Sequence, residues 1–455
     1  MTAQHQLRSL AGWGRYPVQD CFLQHCDVAR QARDSVAEAG EPTLTPRGLG
    51  RSYGDSALNA GGVVADVSGM NYFRAFDETS GLLACEAGVS LAQIIEHFLP
   101  RGWFLPTTPG TKYVTVGGAI AADIHGKNHH RVGSFGEFVE EFELLTASGQ
   151  VIPCSRNNNP DIFFATLGGM GLTGIILWAR IRLVRVASAY LAVDYRQTTN
   201  FSHTLDLFEA GDAAYEHSVA WVDCLATGAS LGRGVVMQAN HAAVSELPDT
   251  VRSRPLDLPQ KRRASVPFVP PCTPLTRWTV RAFNGWFYRK HADERRIVDI
   301  DSFFYPLDAI DHWNRLYGPR GFVQYQAFFP QATSRAGLAE LLTSVAASGA
   351  ASFLAVLKSC GKADGGLLSY LEPGHTLALD IPFHPMTTPR LCRQFDEILL
   401  RHGGRVYLAK DAMTDAETFA KMYPRLSEFQ QLKRRIDPQC RFSSSQARRV
   451  GIVTA

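Results

Sequence analysis

The order of elements predicts an α+β fold in two parts, a strand-rich N-terminal half and an antiparallel sheet covered by helices. Three observations carry this. The chain has 455 residues, too many for one small core. Its first 185 residues read as short strands with brief helices between them. Between about 320 and 410 the order is β-α-β-β-α-β, the split arrangement of ferredoxin-like sheets. Such a sheet carries its helices on one face and leaves the other to cover a domain or a ligand.

Local pattern justifies each element. "GGVVADV" and "LLACEAGV" are apolar runs beside glycines, hence strands. "SLAQIIEHFLPRG" has helical spacing, with Ser90 as its N-cap. "FVEEFELLTASGQVIPC" predicts a hairpin turning at Ser148-Gly149. "DIFFATLGGMGLTGIILWARIRLVRV" starts helical, breaks at its glycines and runs on as a strand. Residues 190–315 show no clear order, and no internal repeat is visible. Beyond them, "GFVQYQAFFP", "SFLAVLKSC", "HTLALDIPFH" and "RVYLAK" read as strands. "SRAGLAELLTSVAASG" and "TPRLCRQFDEILLRHGG" read as helices, closed by Gly349 and by Gly403-Gly404. The tail predicts two short helices and a polar end.

Composition narrows the function. Apolar residues are 45% and charged residues 20%, the balance of a globular chain. A net charge of +3 with no long Lys/Arg block argues against nucleic acid. The nine cysteines are scattered without a C-x-x-C pair, so buried thiols are expected and no metal. The first residues lack the apolar core of a signal peptide, and no run approaches about 18 apolar residues. The expected place is cytoplasmic. The basic stretch Arg252 to Arg263 and the proline-rich "VPFVPPCTPLTRW" leave two options, a surface loop or peripheral contact with the inner face of the plasma membrane.

"TPRGLGRSYGDSA", Thr45 to Ala57, lies between two strands and crowds glycine with arginine. A diphosphate cradle needs backbone N–H groups pointing inward, which glycine permits. The spacing GxGxxxG is neither a dinucleotide fingerprint nor a P-loop. A second glycine-rich stretch, "PGTKYVTVGGAIAADIHGKNHHRVGSFGEFV", begins at Pro109, and a third, "GGMGLTGI", at Gly168. Three such segments suit a long ligand with a pyrophosphate and planar rings. FAD fits better than NAD, since no acidic residue follows a GxGxxG at the ribose-reading distance.

The motifs "RGLGRSYGD", "PGTKYVTVGGAIAADIHGKNHH", "GSFG", "GLTGII", "WNRLYGPRGFVQYQ", "AKD", "AETFAKMYPR" and "DPQCRF" occur in order along nearly the whole chain. On them the chain resembles the FAD-linked oxidases of the vanillyl-alcohol-oxidase type. Within these it looks most like the flavin subunits of the decaprenylphosphoryl-β-D-ribose 2′-epimerases. The resemblance implies a two-part FAD-binding domain, residues 1–188 and 405–455, around a substrate domain at 189–404. It implies cofactor contacts from Pro46, Arg47, Gly48, Leu49, Gly50, Arg51, Ser52, Tyr53, Gly54, Asp55 and Ser56. Further contacts come from Gly110, Thr111, Thr115, Val116, Gly117, Gly118, Ala122, Asp123, Ile124, His125, Ile175 and Tyr407. Many members of the wider superfamily bind flavin covalently through a histidine in the first loop. Arg51 stands there in this chain, so the FAD is expected to be noncovalent.

The implied reaction is oxidation of the ribose 2′-hydroxyl of a polyprenyl-phosphate sugar to the 2-keto sugar. A separate NAD(P)H-dependent short-chain reductase would complete an epimerisation to an arabinose donor for cell-envelope glycans. Lys410, His125 and Tyr53 are the expected catalytic residues. Lys127, Gln326, Lys358, Trp221 and Thr376 are expected to hold the substrate. Ala378 departs from the mycobacterial members, which carry cysteine there, and His375 and Thr376 differ as well. Two alternatives stay open at this point: a soluble sugar or aldonolactone oxidase using oxygen, and a flavin-binding redox protein without sugar turnover.

Overall fold

The computed structural model describes residues 6–38, 43–259, 261–350 and 352–453. Residues 1–5 and 454–455, the ends of the two expected outer segments, and Gln260 of the basic stretch lie outside the described residues.

Three sheets organise the chain. The first holds β1 (Gln6–Ala11), β2 (Val18–His25), β3 (Leu44–Arg47) and β4 (Val63–Asp66) in the order β1-β2-β4-β3. Its β2–β4 and β3–β4 pairs are parallel. The first glycine loop therefore joins two neighbouring parallel strands. The C-terminal chain returns to this sheet: the Leu44 N–H donates to the Arg441 carbonyl at 2.8 Å, and the Ser443 N–H to the Leu44 carbonyl at 2.9 Å. Phe442 is buried in the same apolar cluster as Leu44 and Val63.

The second sheet is antiparallel. It holds β5 (Phe73–Asp77), β6 (Leu82–Glu86), β7 (Val139–Leu145), β8 (Val151–Ser155) and β9 (Ile175–Arg182) in the order β5-β6-β9-β7-β8. The β7–β8 hairpin turns at Ser148-Gly149 as its sequence predicts, with Gly149 at φ 79. The helix Leu91–Phe98 starts in a capping box. Ser90 Oγ accepts from the Gln93 N–H, and the Gln93 side chain accepts from the Ser90 N–H.

The third sheet has eight strands. They are β10 (Tyr190–Thr198), β11 (His217–Val222), β12 (Gly234–His241), β13 (Glu294–Asp299), β14 (Phe322–Pro330), β15 (Ala355–Cys360), β16 (Gly374–Pro382) and β17 (Arg405–Val406). The order is β13-β10-β12-β11-β15-β16-β14-β17. Strands β14 to β17 with the helices Ser334–Ser348 and Thr388–Arg401 are the expected β-α-β-β-α-β unit. Strands β10 to β13 repeat its strand order, and the two units meet edge to edge where β11 pairs with β15. No repeat is legible in the sequence because the shared feature is connectivity. The two copies bury different residues, and long connections interrupt the first.

Two expectations are corrected. "RVYLAK" is a strand only at Arg405–Val406, and Lys410 stands in a turn closed by its own N–H on the Tyr407 carbonyl at 2.9 Å. The polar end of the chain is not wholly irregular. Its Ser445–Arg449 helix is a third short helix of the tail, after Ala416–Met422 and Leu426–Ile436, and is capped by Ser444 Oγ on the Ala447 N–H at 3.1 Å.

Candidate active site

A cavity of about 570 Å³ lies between the glycine loops and the third sheet. Its first wall is mostly backbone. The loop Pro46 to Tyr53 runs against Thr115, which caps the short helix Val116–Ala121 by accepting from the Gly118 N–H at 3.1 Å. A Cβ on Gly48 would sit 2.4 Å from Thr115 Oγ1, so only glycine lets the two segments approach this closely. The Arg47 guanidinium donates to the carbonyls of Ala11 at 2.7 Å and Ala57 at 3.1 Å, and thereby fixes the loop's shape. Arg51 lies 4.1 Å from the centre of the Trp13 ring. Ser56 Oγ is buried in this wall without a hydrogen-bond partner. A buried hydroxyl left open is costly unless a ligand meets it. A bare-backbone cradle with a spare hydroxyl and small apolar flanks fits a flavin dinucleotide. The loops of residues 46–56 and 110–125 would hold it.

The second wall is the inner face of the sheet. Period-two alternation puts Trp221, Val356, Ala378 and Gln326 on one rung across β11, β15, β16 and β14. Lys358 and Gln324, two residues along their strands, share that face and line the cavity. Trp221 is locked by its Nε1–H on the Phe353 carbonyl at 3.0 Å.

Three lysines project into this space. Lys127 is placed by its carbonyl, which accepts from the Ser218 N–H of β11 at 2.7 Å. Its ammonium donates to the Phe303 carbonyl. Burial pushes Lys127 down to about 7, aided by Lys358, and pushes Lys358 down to about 8. Lys410 sits 3.8 Å from the centre of the Tyr53 ring and is pushed down to about 7, by burial and then by Lys358, against the opposing pull of Asp380. No carboxylate forms a salt bridge with any of the three among the described residues.

Asp380 lies on the same strand face as Ala378. Gln324 Nε2 donates to its Oδ1, and Tyr317 Oη to its Oδ2 at 3.4 Å. Burial holds its carboxyl well above the usual range. His125 receives a hydrogen bond on Nε2 from Gln326 Nε2 at 2.9 Å, and its Nδ1 is buried without a partner. Burial and the cations Lys358 and Lys410 keep the imidazole neutral. Tyr407 packs edge-on to His125, 5.0 Å between centroids, and donates to the Ala122 carbonyl at 2.6 Å, tying the second glycine segment to the sheet.

The cavity gathers most of the residues singled out in the sequence: the loops, Ile175, Tyr407, Lys127, Trp221, Gln326, Lys358, His125, Tyr53 and Lys410. Five do not line it. Asp55 is consumed by Arg449, whose guanidinium donates to both its oxygens at 2.6 and 3.1 Å and also pairs with Asp411. Gly54 faces the same junction, where a Cβ would meet the Asp411 carbonyl oxygen at 2.0 Å. Val116 packs in the apolar core. Asp123, at φ 40, accepts from the Gly136 N–H at 3.0 Å. Thr376 stands behind Gln326 and accepts from its Nε2 at 3.2 Å. Trp13, Gln324, Asp380 and the aromatic helix Arg277–Lys290 went unnoticed in the sequence. Alternation in "HTLALDIP" points to Asp380 once Ala378 is placed, but Trp13 carries no such signal.

Residues 27–155 match the model of an FAD binding domain, and residues 330–450 match that of D-arabinono-1,4-lactone oxidase. The chain is 38% identical over 456 residues to the decaprenylphosphoryl-beta-D-ribose oxidase of Mycolicibacterium smegmatis, covering 98% of both. It is 35% identical over 371 residues to an uncharacterized Streptomyces coelicolor protein from the mprA 5′ region, covering 80% of this chain and 100% of that one. Cytokinin dehydrogenase 5 of Oryza sativa subsp. japonica is 32% identical over 168 residues, 34% of this chain and 31% of the relative. With the glycine cradle, the lysine-lined sheet and full-length identity at this level, the chain is an FAD-dependent oxidoreductase and belongs to the family of the FAD-linked oxidase decaprenylphosphoryl-beta-D-ribose oxidase.

Proposed function

We propose that this oxidoreductase removes a hydride and a proton from the 2′-carbinol of a polyprenyl-phosphate ribose, leaving the 2-keto sugar. One observation supports it above the others: three half-buried lysines, without carboxylate salt bridges among the described residues, line the cavity opposite the glycine cradle, a field that calls for an anion. FAD, when bound, accepts the hydride and carries the redox chemistry. Lys410, with an amine poised near neutrality, takes the hydroxyl proton. Asp380 then steadies the ammonium that forms. Lys127 and Lys358 hold the sugar phosphate as point charges. Trp221 floors the sugar, and neutral His125, gripped by Gln326, orients its hydroxyls. Tyr53 packs beneath the Lys410 ammonium.

The same reading divides the chain into cofactor segments, 1–188 and 405–455, around a substrate unit at 189–404, whose sheet borrows its edge strand β17 (Arg405–Val406) from the returning segment. The Arg441–Ser443 return to β3 supports that division. A separate reductase using NAD(P)H would consume the keto sugar. Peripheral membrane contact follows from a substrate whose tail stays in a bilayer; no helix among the described residues is long and apolar enough to cross one. The test is anaerobic mixing with polyprenyl-phosphate ribose and, separately, with free aldoses or aldonolactones. Bleaching of the flavin by the phospholipid sugar is the expected result, and bleaching only by the free compounds overturns the proposal. Acid precipitation is expected to leave all yellow colour in the supernatant, because Arg51 cannot form a histidyl link; colour in the pellet would contradict this.

A further inference from the structure

The helix Arg277–Lys290 turns one face to the cavity and exposes the other, and the two faces have different chemistry. On the inner face, Phe283 and Phe287 line the cavity, with Phe287 4.6 Å from the Trp221 ring. On the outer face, Trp278 is 77% exposed and Trp286 52%. Arg277, Arg281, Arg289 and Lys290 are also exposed, and the helix holds no acidic residue. None of these four forms a salt bridge among the described residues. Lys290 instead lies 4.9 Å from the centre of the Trp286 ring. Just upstream, Phe268 in the proline-rich segment is 68% exposed.

Two exposed indoles and a phenyl ring amid unpaired cations suit neither plain solvent nor a neutral surface. Indole prefers the boundary between headgroups and acyl chains, and Arg and Lys stems reach past it to lipid phosphates. We infer that the outer face of Arg277–Lys290, with Phe268, docks on an anionic bilayer and brings the cavity mouth to the leaflet that holds the lipid tail. The inference deepens the lipid-substrate reading by naming the surface and its partner. Phe283 and Phe287 of this helix, with Val219 and Trp221 of β11, give the cavity an apolar lining on that side for the tail to lie against. Charge complementarity selects a bilayer over an uncharged protein surface, and the absence of acidic residues along the helix removes the self-repulsion that an anionic headgroup would otherwise meet.

The test uses the flavin-loaded protein and no substrate, so its failure is separable from failure of the proposed reaction. Co-sedimentation is measured with phosphatidylcholine vesicles and with vesicles carrying 30% phosphatidylglycerol. Binding is expected to the anionic vesicles, weaker on neutral ones, and falling with added salt. The double variants Trp278→Ser/Trp286→Ser and Arg281→Glu/Arg289→Glu are each expected to lower the partition coefficient by at least about tenfold. Both should keep their flavin and melt at the wild-type temperature, which verifies their fold without any substrate. Wild-type protein that ignores anionic vesicles, or correctly folded variants that bind as well as it does, would overturn the inference. The first outcome would leave the aromatic face to a protein partner.

Discussion

The two walls of the cavity offer a ligand opposite chemistry. The glycine wall spends its arginines on itself, Arg47 on two carbonyls and Arg51 on Trp13, and presents backbone and small side chains. The opposite side does the reverse, gathering Lys358 from the sheet, Lys410 from the turn after β17 and Lys127 from the end of the second glycine segment, none in a salt bridge with a carboxylate among the described residues. Backbone N–H groups do not titrate, so the first wall's grip is indifferent to pH and sensitive to shape. Lysines pushed down to about 7 or 8 change charge within the physiological range, so the second wall answers to both pH and ligand charge.

The largest expected break comes on the sheet side. Lys410→Met should slow anaerobic flavin reduction by about a thousandfold, the range for losing a proton-transfer partner, while FAD content stays unchanged. Stopped-flow absorbance checks it, and an unchanged rate would remove Lys410 from the chemistry. Next, Lys127→Gln and Lys358→Gln should each raise KM about 10- to 100-fold for a phosphorylated substrate, with little loss of kcat, as one charge-assisted contact is lost. An unphosphorylated analogue should lose almost nothing.

The glycine wall should break differently. Gly48→Ala pushes Thr115 aside, at a cost of about 1–3 kcal/mol, and is expected to appear as weaker FAD retention during dialysis with no shift in pH profile. The smallest effect sharpens the contrast. A neutral Lys410 accepts the proton, so the reduction rate should rise as pH climbs through about 7. The Asp380 carboxylate favours the ammonium, so Asp380→Asn lowers the Lys410 pKa and moves that limb to lower pH. A limb that stays in place would uncouple the pair.

Much of the site was legible because glycine loops are local. "RGLGRSYGD" and "VGGAIAAD" declare a close backbone approach wherever the chain places them. The β14–β17 unit was equally legible, from strands and helices of regular period. The β10–β13 unit was not, since a 35-residue connection between β12 and the helix Arg277–Lys290 hides its order (242–276). Asp55 looked like part of the cradle because it belongs to the motif, yet it serves the junction with Arg449, nearly the whole chain away.

By itself, then, the sequence determined the backbone chemistry of the cofactor loops, the alternation that arms one sheet face, and the likeness to flavin oxidases. Tertiary structure alone decided which lysines lose their ordinary basicity. Lys127, Lys358 and Lys410 are ordinary in isolation, and their lowered pKa values exist only because distant segments exclude water around them. Desolvation is a property of the assembled cavity, and no short stretch of chain can encode it.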